Sequence, residues 1–264
     1  MDFSAVKMVA VDLDGTLLTT DKKMPDDFKP WVLAHPGIHT VIASGRQYDR
    51  LLHQFADIHD HLVFIAENGS LVVDQQGKII FSSPMSSLNI RKTLDFIHLI
   101  PSATPVLCGI HCAYSLPSGE GIVKNLHIYY QNLKSVSSFE EAMKEDTIIK
   151  IAVFEETGRI GDYEKLFPQL TKEVHGVISD KKWADFANTG INKGKAIQAI
   201  LSNFHLSKSN AMAFGDYGND KEMLKEVYYS YAMENATEEI KSVANFQTDS
   251  NDHDGVMKIL RQIQ

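Results

Sequence analysis

Short apolar runs alternate with polar segments of helical period through the first third of the chain. Residues 6–11, 38–43 and 62–66 are mostly apolar, interrupted only by Lys7, His39 and Thr40, which reads as buried strand. Between them, residues 25–34 and 46–55 carry apolar positions at helical spacing. A strand-helix-strand-helix-strand rhythm predicts a parallel, doubly wound sheet with helices on its faces. Residues 70–73 and 78–82, joined by Asp74-Gln75-Gln76-Gly77, read as a hairpin added to that sheet.

The pattern changes after Ser82-Ser83-Pro84. Residues 88–99 form an amphipathic helix with Ile90, Leu94 and Ile97 on one face, and strands are expected at 105–108, 112–116, 148–154 and 174–179. Helices are expected near 122–130 and 162–170. This spacing predicts a separate α+β unit. Beyond Trp183-Ala184-Asp185-Phe186 the first rhythm returns, with helix 195–204, strand 211–214, helix 221–227, strand 228–232 and a last helix at 255–263. The sequence therefore predicts an α/β, Rossmann-like core from residues 1–82 and 187–264, interrupted by an inserted domain over 83–186.

Composition adds exclusions. The chain has 264 residues, 44% hydrophobic and 23% charged, ordinary values for a folded globular protein. Its net charge of −8, with no basic arm, argues against a nucleic-acid partner. No apolar run approaches a membrane span, and the first residues lack a secretory layout, so no membrane association and a cytoplasmic location are expected. Cys108, His111 and Cys112 mimic part of a zinc site but lack a fourth ligand and the usual spacing. The pattern leaves the oligomeric state open.

Four features fall at predicted strand ends or helix starts. Asp12-Leu13-Asp14-Gly15-Thr16 follows the first strand and puts two carboxylates one residue apart beside a glycine turn. That pair suits a metal clamp, an acid/base pair, or a nucleophile beside its proton donor. Ser44-Gly45-Arg46 follows the second strand and is expected to open a helix, where a hydroxyl and free N–H groups would cradle an anion. Asn192-Lys193-Gly194 opens another helix, with a lysine suited to phosphate. Gly215-Asp216-Tyr217-Gly218-Asn219-Asp220 adds two more acids after a later strand. An EF-hand fails on spacing, since glycine is fourth and Lys23 holds position twelve. A Walker A loop at 190–195 fails because Ala196 replaces the metal-binding hydroxyl. Ligands of open α/β sheets bind at the carboxyl ends of the strands. Several acids gathered there with a lysine and phosphate-binding N–H groups call for a hard divalent cation, Mg²⁺ above all, and hence for metal-assisted phosphoryl chemistry.

Together these motifs resemble the haloacid dehalogenase (HAD) superfamily, and more narrowly its Cof-type phosphatases with a large α/β cap. Glu67-Asn68-Gly69, Met233-Glu234-Asn235-Ala236 and Asp254-Gly255-Val256 fit the same subfamily. The resemblance implies that Asp12 is the nucleophile and Asp14 the general acid/base. It implies Mg²⁺ held by Asp12, the Asp14 carbonyl and Asp216, and phosphoryl oxygens bound by Ser44, Lys193 and N–H groups near Leu13 and Gly45. Asn219 would touch phosphate or metal-bound water, Asp220 would orient Lys193, and Arg46 and Asn68 are expected at the substrate. His111, Lys181, Lys182 and Trp183 are cap candidates for reading the leaving group. The implied activity is Mg²⁺-dependent hydrolysis of a small phosphorylated metabolite: a sugar phosphate, or a nucleotide-like or cofactor phosphate. A phosphomutase of the same superfamily and a catalytically vestigial sugar-phosphate-binding regulator are the alternatives.

Overall fold

The computed structural model describes residues 2–263. The chain divides into two compact units, Met1–Phe81 with Asn192–Gln264, and Ser82–Ile191.

The first unit begins with β1 (Met8–Asp12), every residue of which is buried. Then follow α1 (Phe28–Ala34), β2 (His39–Ala43), α2 (Tyr48–Gln54), β3 (Leu62–Ala66), and the pair β4 (Leu71–Val73) and β5 (Ile79–Ser82). β1, β2 and β3 pair in parallel, and β4 returns antiparallel to β3. Ser44-Gly45-Arg46 does not open α2, as the sequence led us to expect. Its backbone instead continues the β2–β3 pairing beyond the strand ends: the Ser44 N–H donates to the Ile65 carbonyl (2.9 Å), the Asn68 N–H to the Ser44 carbonyl (3.1 Å), and the Glu67 N–H to the Arg46 carbonyl (3.0 Å). The helix starts only at Tyr48.

The second unit contains α3 (Ser87–Ile97), β6 (Ala103–Gly109), β7 (Ala113–Ser115), α4 (Glu120–Tyr129), β8 (Leu133–Ser135), α5 (Phe139–Glu145), β9 (Ile148–Glu155), β10 (Val174–Asp180) and β11 (Trp183–Asn188). These strands form one six-stranded sheet in the order β10-β11-β9-β6-β7-β8. One side is packed by Ile90, Leu94 and Ile97 of α3 with Leu107, Ile151 and Val153. On the other, Val106, Ala152, Phe154 and Trp183 pack with Leu126 and Tyr130. Three elements were not expected: β8 and α5 are too short to show a period, and β11 extends the apolar Trp183–Phe186 patch. Residues Ile160–Gln169 form a 3₁₀ helix rather than an α-helix, and they include Pro168, which has no N–H to donate. β11 pairs with β10 as far as Asn188, which carries this unit to Ile191.

The chain re-enters the first unit with α6 (Lys193–Asn203), β12 (Ala211–Gly215), α7 (Lys221–Lys225), β13 (Tyr229–Ala232), α8 (Glu238–Val243), β14 (Phe246–Gln247) and α9 (Gly255–Leu260). The complete sheet runs β14-β13-β12-β1-β2-β3-β4-β5. β1 therefore lies between the strands that follow it and those from the end of the chain, and a topological switch point falls between β1 and β12. No helix among the described residues is long and apolar enough to cross a membrane.

Candidate active site

Asp12 ends β1, directly opposite Ala43 of β2 in register, so Ser44 emerges beside it; on the other side Val11 pairs with Phe214, so Gly215 and Asp216 emerge there. Three of the four motifs thus leave adjacent strands at one edge of the sheet. The fourth arrives through α6. Asn192 caps that helix by accepting the Lys195 N–H at 3.0 Å, which fixes Lys193 as its first residue.

Lys193 is fully buried, and its ammonium donates to Asp12 Oδ1 (2.5 Å) and Asp220 Oδ1 (2.7 Å). The other oxygen of Asp220 accepts the N–H groups of Asp216 (3.0 Å) and Tyr217 (3.2 Å). Asp220 therefore both orients the lysine and closes the turn that presents Asp216. The Thr16 hydroxyl donates to Asp216 Oδ1 at 2.8 Å. Gly15, at φ +83°, leaves room for that carboxylate; a Cβ there would overlap it.

The electrostatics follow from burial. Burial pushes the Asp12 carboxyl up, to about 8, with the charge of Asp220 adding to the effect and Lys193 opposing it. Asp216 rises to about 6, again chiefly by burial, with the Thr16 hydrogen bond opposing. Burial works against the Lys193 ammonium, but Asp12 and Asp220 outweigh it and hold the lysine above its ordinary value. Three carboxylates converge here on one ammonium, and oxygens of Asp12, Asp216 and Asp220 lie within 4.8 Å of one another. An all-oxygen donor set with surplus negative charge fits a hard divalent cation. Asp220 already has both oxygens engaged, so Asp12 and Asp216 are the side chains suited to ligate it.

Asp14 projects to a more open place. Lys22 donates to its Oδ1 at 2.9 Å, and Arg46 Nη2 reaches both of its oxygens at 3.0 and 2.9 Å, while Arg46 Nη1 is bonded to Gln54. Partial burial would raise the Asp14 carboxyl, but these two cations hold it below its ordinary value. Leu13 turns its side chain into the core, and its carbonyl accepts the Leu18 N–H at 2.8 Å.

The third-strand motif forms a strained loop. Glu67, Asn68 and Gly69 all have positive φ (51°, 53° and 106°), a conformation disfavoured for the first two. Gly69 presses on Asn192, where a Cβ would lie 2.5 Å from the carbonyl carbon. Asn68 Oδ1 accepts from Asn219 Nδ2 at 3.1 Å, joining the β3 loop to the 216–220 turn. Buried Ser44 accepts the Arg46 N–H on its hydroxyl at 3.2 Å.

The structure thus brings Asp12, Lys193, Asp216 and Asp220 into one bonded cluster, and pairs Asp14 with Arg46 and Asn68 with Asn219. In the second unit, His111 donates its N–H to Asp146 (3.0 Å), and Trp183 is buried among Tyr129, Tyr130 and Phe154. Lys181 and Lys182 are exposed in the β10–β11 turn. Sequence reasoning missed Thr16 as a partner of Asp216, Asn235, whose Nδ2 donates to the Gly15 carbonyl (2.8 Å), and Lys22. The Met233–Ala236 segment drew notice only through family likeness, and nothing local marks Lys22.

Residues 9–260 match the family model of the haloacid dehalogenase-like hydrolases. The chain belongs to that family. It is 29% identical over 271 residues to the 5-amino-6-(5-phospho-D-ribitylamino)uracil phosphatase YbjI of Escherichia coli (strain K12), covering 98% of this chain and 96% of that protein. It is 31% identical over 278 residues to a Streptococcus pyogenes protein, with 98% of each covered. Among solved structures, one from Streptococcus mutans UA159 superposes with a TM-score of 0.82 at 30% identity, over 97% of this chain and 98% of that one. The doubly wound core and inserted α+β unit are the fold of this hydrolase family.

Proposed function

We propose that this hydrolase is a Mg²⁺-dependent phosphatase that cleaves a small phosphate monoester through an aspartyl-phosphate on Asp12. The observation that carries the reading is the buried Asp12–Lys193–Asp220 arrangement with Asp216 beside it. A carboxylate held by one fixed ammonium at the end of a central strand is a nucleophile already aimed, and its surroundings suit a metal and a phosphoryl group together.

In this reading Asp12 attacks phosphorus, and Asp14 gives its proton to the departing alkoxide oxygen. Asp14 then takes a proton from water as that water displaces phosphate from Asp12. Lys193 and the Ser44 hydroxyl bind phosphoryl oxygens, assisted by N–H groups of Leu13 and Gly45. Asp12 and Asp216, with the main-chain carbonyl of Asp14, would hold Mg²⁺. When bound, the ion supplies charge neutralisation between the carboxylates and the phosphoryl oxygens. Asp220 keeps Lys193 in place, Asn219 contacts phosphate or metal-bound water, and Arg46 and Asn68 contact the substrate. We assign choice of leaving group to the inserted unit. The E. coli relative is named for a phosphorylated ribityl compound, which supports a sugar- or polyol-phosphate class of substrate.

The test is turnover of p-nitrophenyl phosphate by the purified chain. The expected result is activity that is abolished by Asp12→Asn and by chelation, and restored by Mg²⁺. Activity that survives Asp12→Asn overturns the proposal.

A further inference from the structure

The segment from Gly15 to Lys22 is tied down on one side and presents a cation on the other. Three side chains far along the sequence make the tie. Asn235 Nδ2 donates to the Gly15 carbonyl (2.8 Å), and Asn235 Oδ1 accepts the Asn251 N–H (3.1 Å). Asn251 Nδ2 donates to the Leu18 carbonyl (2.9 Å), while Asp252 accepts both the Thr20 N–H (2.8 Å) and the Thr20 hydroxyl (2.7 Å). Beyond Thr20 the chain turns back: the Lys22 N–H donates to the Thr19 carbonyl (2.8 Å) and the Thr19 N–H to the Lys23 carbonyl (2.9 Å). Lys22 takes a left-handed φ of +62° in this turn, and its ammonium meets Asp14 Oδ1 at 2.9 Å. With Arg46 on both oxygens, the carboxylate accepts three N–H bonds from two cations.

The Asp14 carboxylate is thus gripped at two points, by the Lys22 ammonium on Oδ1 and by Arg46 Nη2 across both oxygens, which fixes where it sits. Asp14 is the group that takes the proton in the second half of the reaction proposed above, on which this inference rests. We infer that Lys22 is a positioning residue for hydrolysis of the aspartyl-phosphate, and that the Asn235–Asn251–Asp252 tie fixes the turn carrying it. In that step the oxygen of water bonds to phosphorus and one of its protons passes to Asp14. The bond between phosphorus and the Asp12 oxygen breaks, its electron pair returns to the Asp12 carboxylate, and inorganic phosphate departs. The proton now on Asp14 is the one delivered to the next leaving alkoxide, so the cycle balances.

The experiment uses p-nitrophenyl phosphate with Mg²⁺ and the full chain. Nitrophenolate leaves without protonation, so the first half is fast and hydrolysis of the intermediate limits kcat. For Lys22→Met we expect kcat to fall roughly tenfold while kcat/KM, which reports only the steps through nitrophenolate release, stays within about twofold. Intact-mass analysis of acid-quenched turnover should show more phosphorylated chain than the wild type, and Lys22→Arg should return both readouts toward wild type. Asp252→Ala, which leaves the ammonium present but frees its turn, should shift both in the same direction. A fall of kcat/KM in step with kcat, or an unchanged kcat, or no rise in phosphorylated chain, overturns the role of Lys22. Wild-type levels of phosphorylated chain in Asp252→Ala overturn the tie. Turnover that persists in Asp12→Asn is a separate result, and overturns the covalent reading itself.

Discussion

Lys193→Met isolates the energetic core of the site. The native ammonium is fully buried and bonded at 2.5 and 2.7 Å to two carboxylates. Methionine keeps the unbranched apolar stem of lysine and lacks only its terminal ammonium, so the substitution removes a charge with little change in packing. It leaves Asp12 and Asp220 buried and facing each other, and breaking a buried pair by removing one partner costs about 3–5 kcal/mol. Against a total stability of roughly 5–15 kcal/mol for a native domain, that is a severe loss. The assay is urea unfolding followed by tryptophan fluorescence. The chain has two tryptophans, Trp31 in the first unit and Trp183 in the second, so a Trp183→Phe background reports only the unit that holds Lys193. Trp31 is buried, with its indole N–H on the Leu260 carbonyl at 3.0 Å, so its emission changes when that unit opens. Asp220→Asn and the double variant complete a cycle. Removing Asp220 as well should recover part of the loss, with a coupling of about 1–3 kcal/mol, within the range for residues in one network. Single losses below about 1 kcal/mol, or strictly additive ones, would refute the premise that this cluster is a desolvated and interdependent charge network.

Other outcomes follow from individual contacts. Asp216→Asn should raise the Mg²⁺ concentration needed for half-maximal turnover by roughly tenfold or more, since a charged oxygen donor is lost from the set that suits the ion; a metal titration of activity checks it. Gly15→Ala should cost at least about 1 kcal/mol, because φ is +83° and the new Cβ would overlap the Asp216 carboxylate, and thermal melting reads it directly. In the second unit, buried Glu155 accepts from the Thr157 N–H (2.9 Å), the Thr157 hydroxyl (2.7 Å) and the Arg159 N–H (2.5 Å). Burial opposes its ionisation, but these bonds outweigh it and hold the carboxyl below 4.5, its ordinary value. A lowered folded-state value means stability that is present above 4.5 and lost as pH falls through the folded value. Glu155→Gln should therefore cost about 1–3 kcal/mol at neutral pH, with the gap to wild type closing in acid. Urea unfolding in a Trp31→Phe background, across pH, tests it.

The parts of the site legible in the sequence were those set by local pattern. Apolar runs at 6–11, 38–43 and 62–66 announced buried strands, and an acid, serine or glycine directly after such a run had to emerge at a sheet edge. Family likeness then supplied roles that residue chemistry alone had left open. What stayed hidden depends on chain reversals and on contacts made across long separations. Thr16 bonds to Asp216, 200 residues away, and Asn251 to Leu18, 233 away, so no window of sequence could hold either pair. Lys22 is only eight residues from Asp14, but its reach depends on a left-handed turn at a non-glycine residue, which propensity disfavours. Ser44-Gly45-Arg46 was misread as a helix start for a related reason. Extension of the β2–β3 pairing claims its backbone groups, and that is a tertiary effect.

The two charge groups of the first unit pose opposite problems. In the buried cluster three carboxylates face one ammonium, so the missing partner is a cation. At Asp14 two cations face one carboxylate, so the surplus is positive and the missing partner is an anion. Neither group is balanced by these residues alone, and one ligand pair, a divalent metal with a phosphate monoester, would offset both. A site built only to bind sugar phosphate would have no use for the buried acids, since they repel the ligand. Conversely, a metal store would have no use for Lys22 and Arg46. The two imbalances, joined through the short turn from Asp12 to Asp14, favour a reaction in which charge moves from phosphate to leaving group over a framework that already compensates both ends.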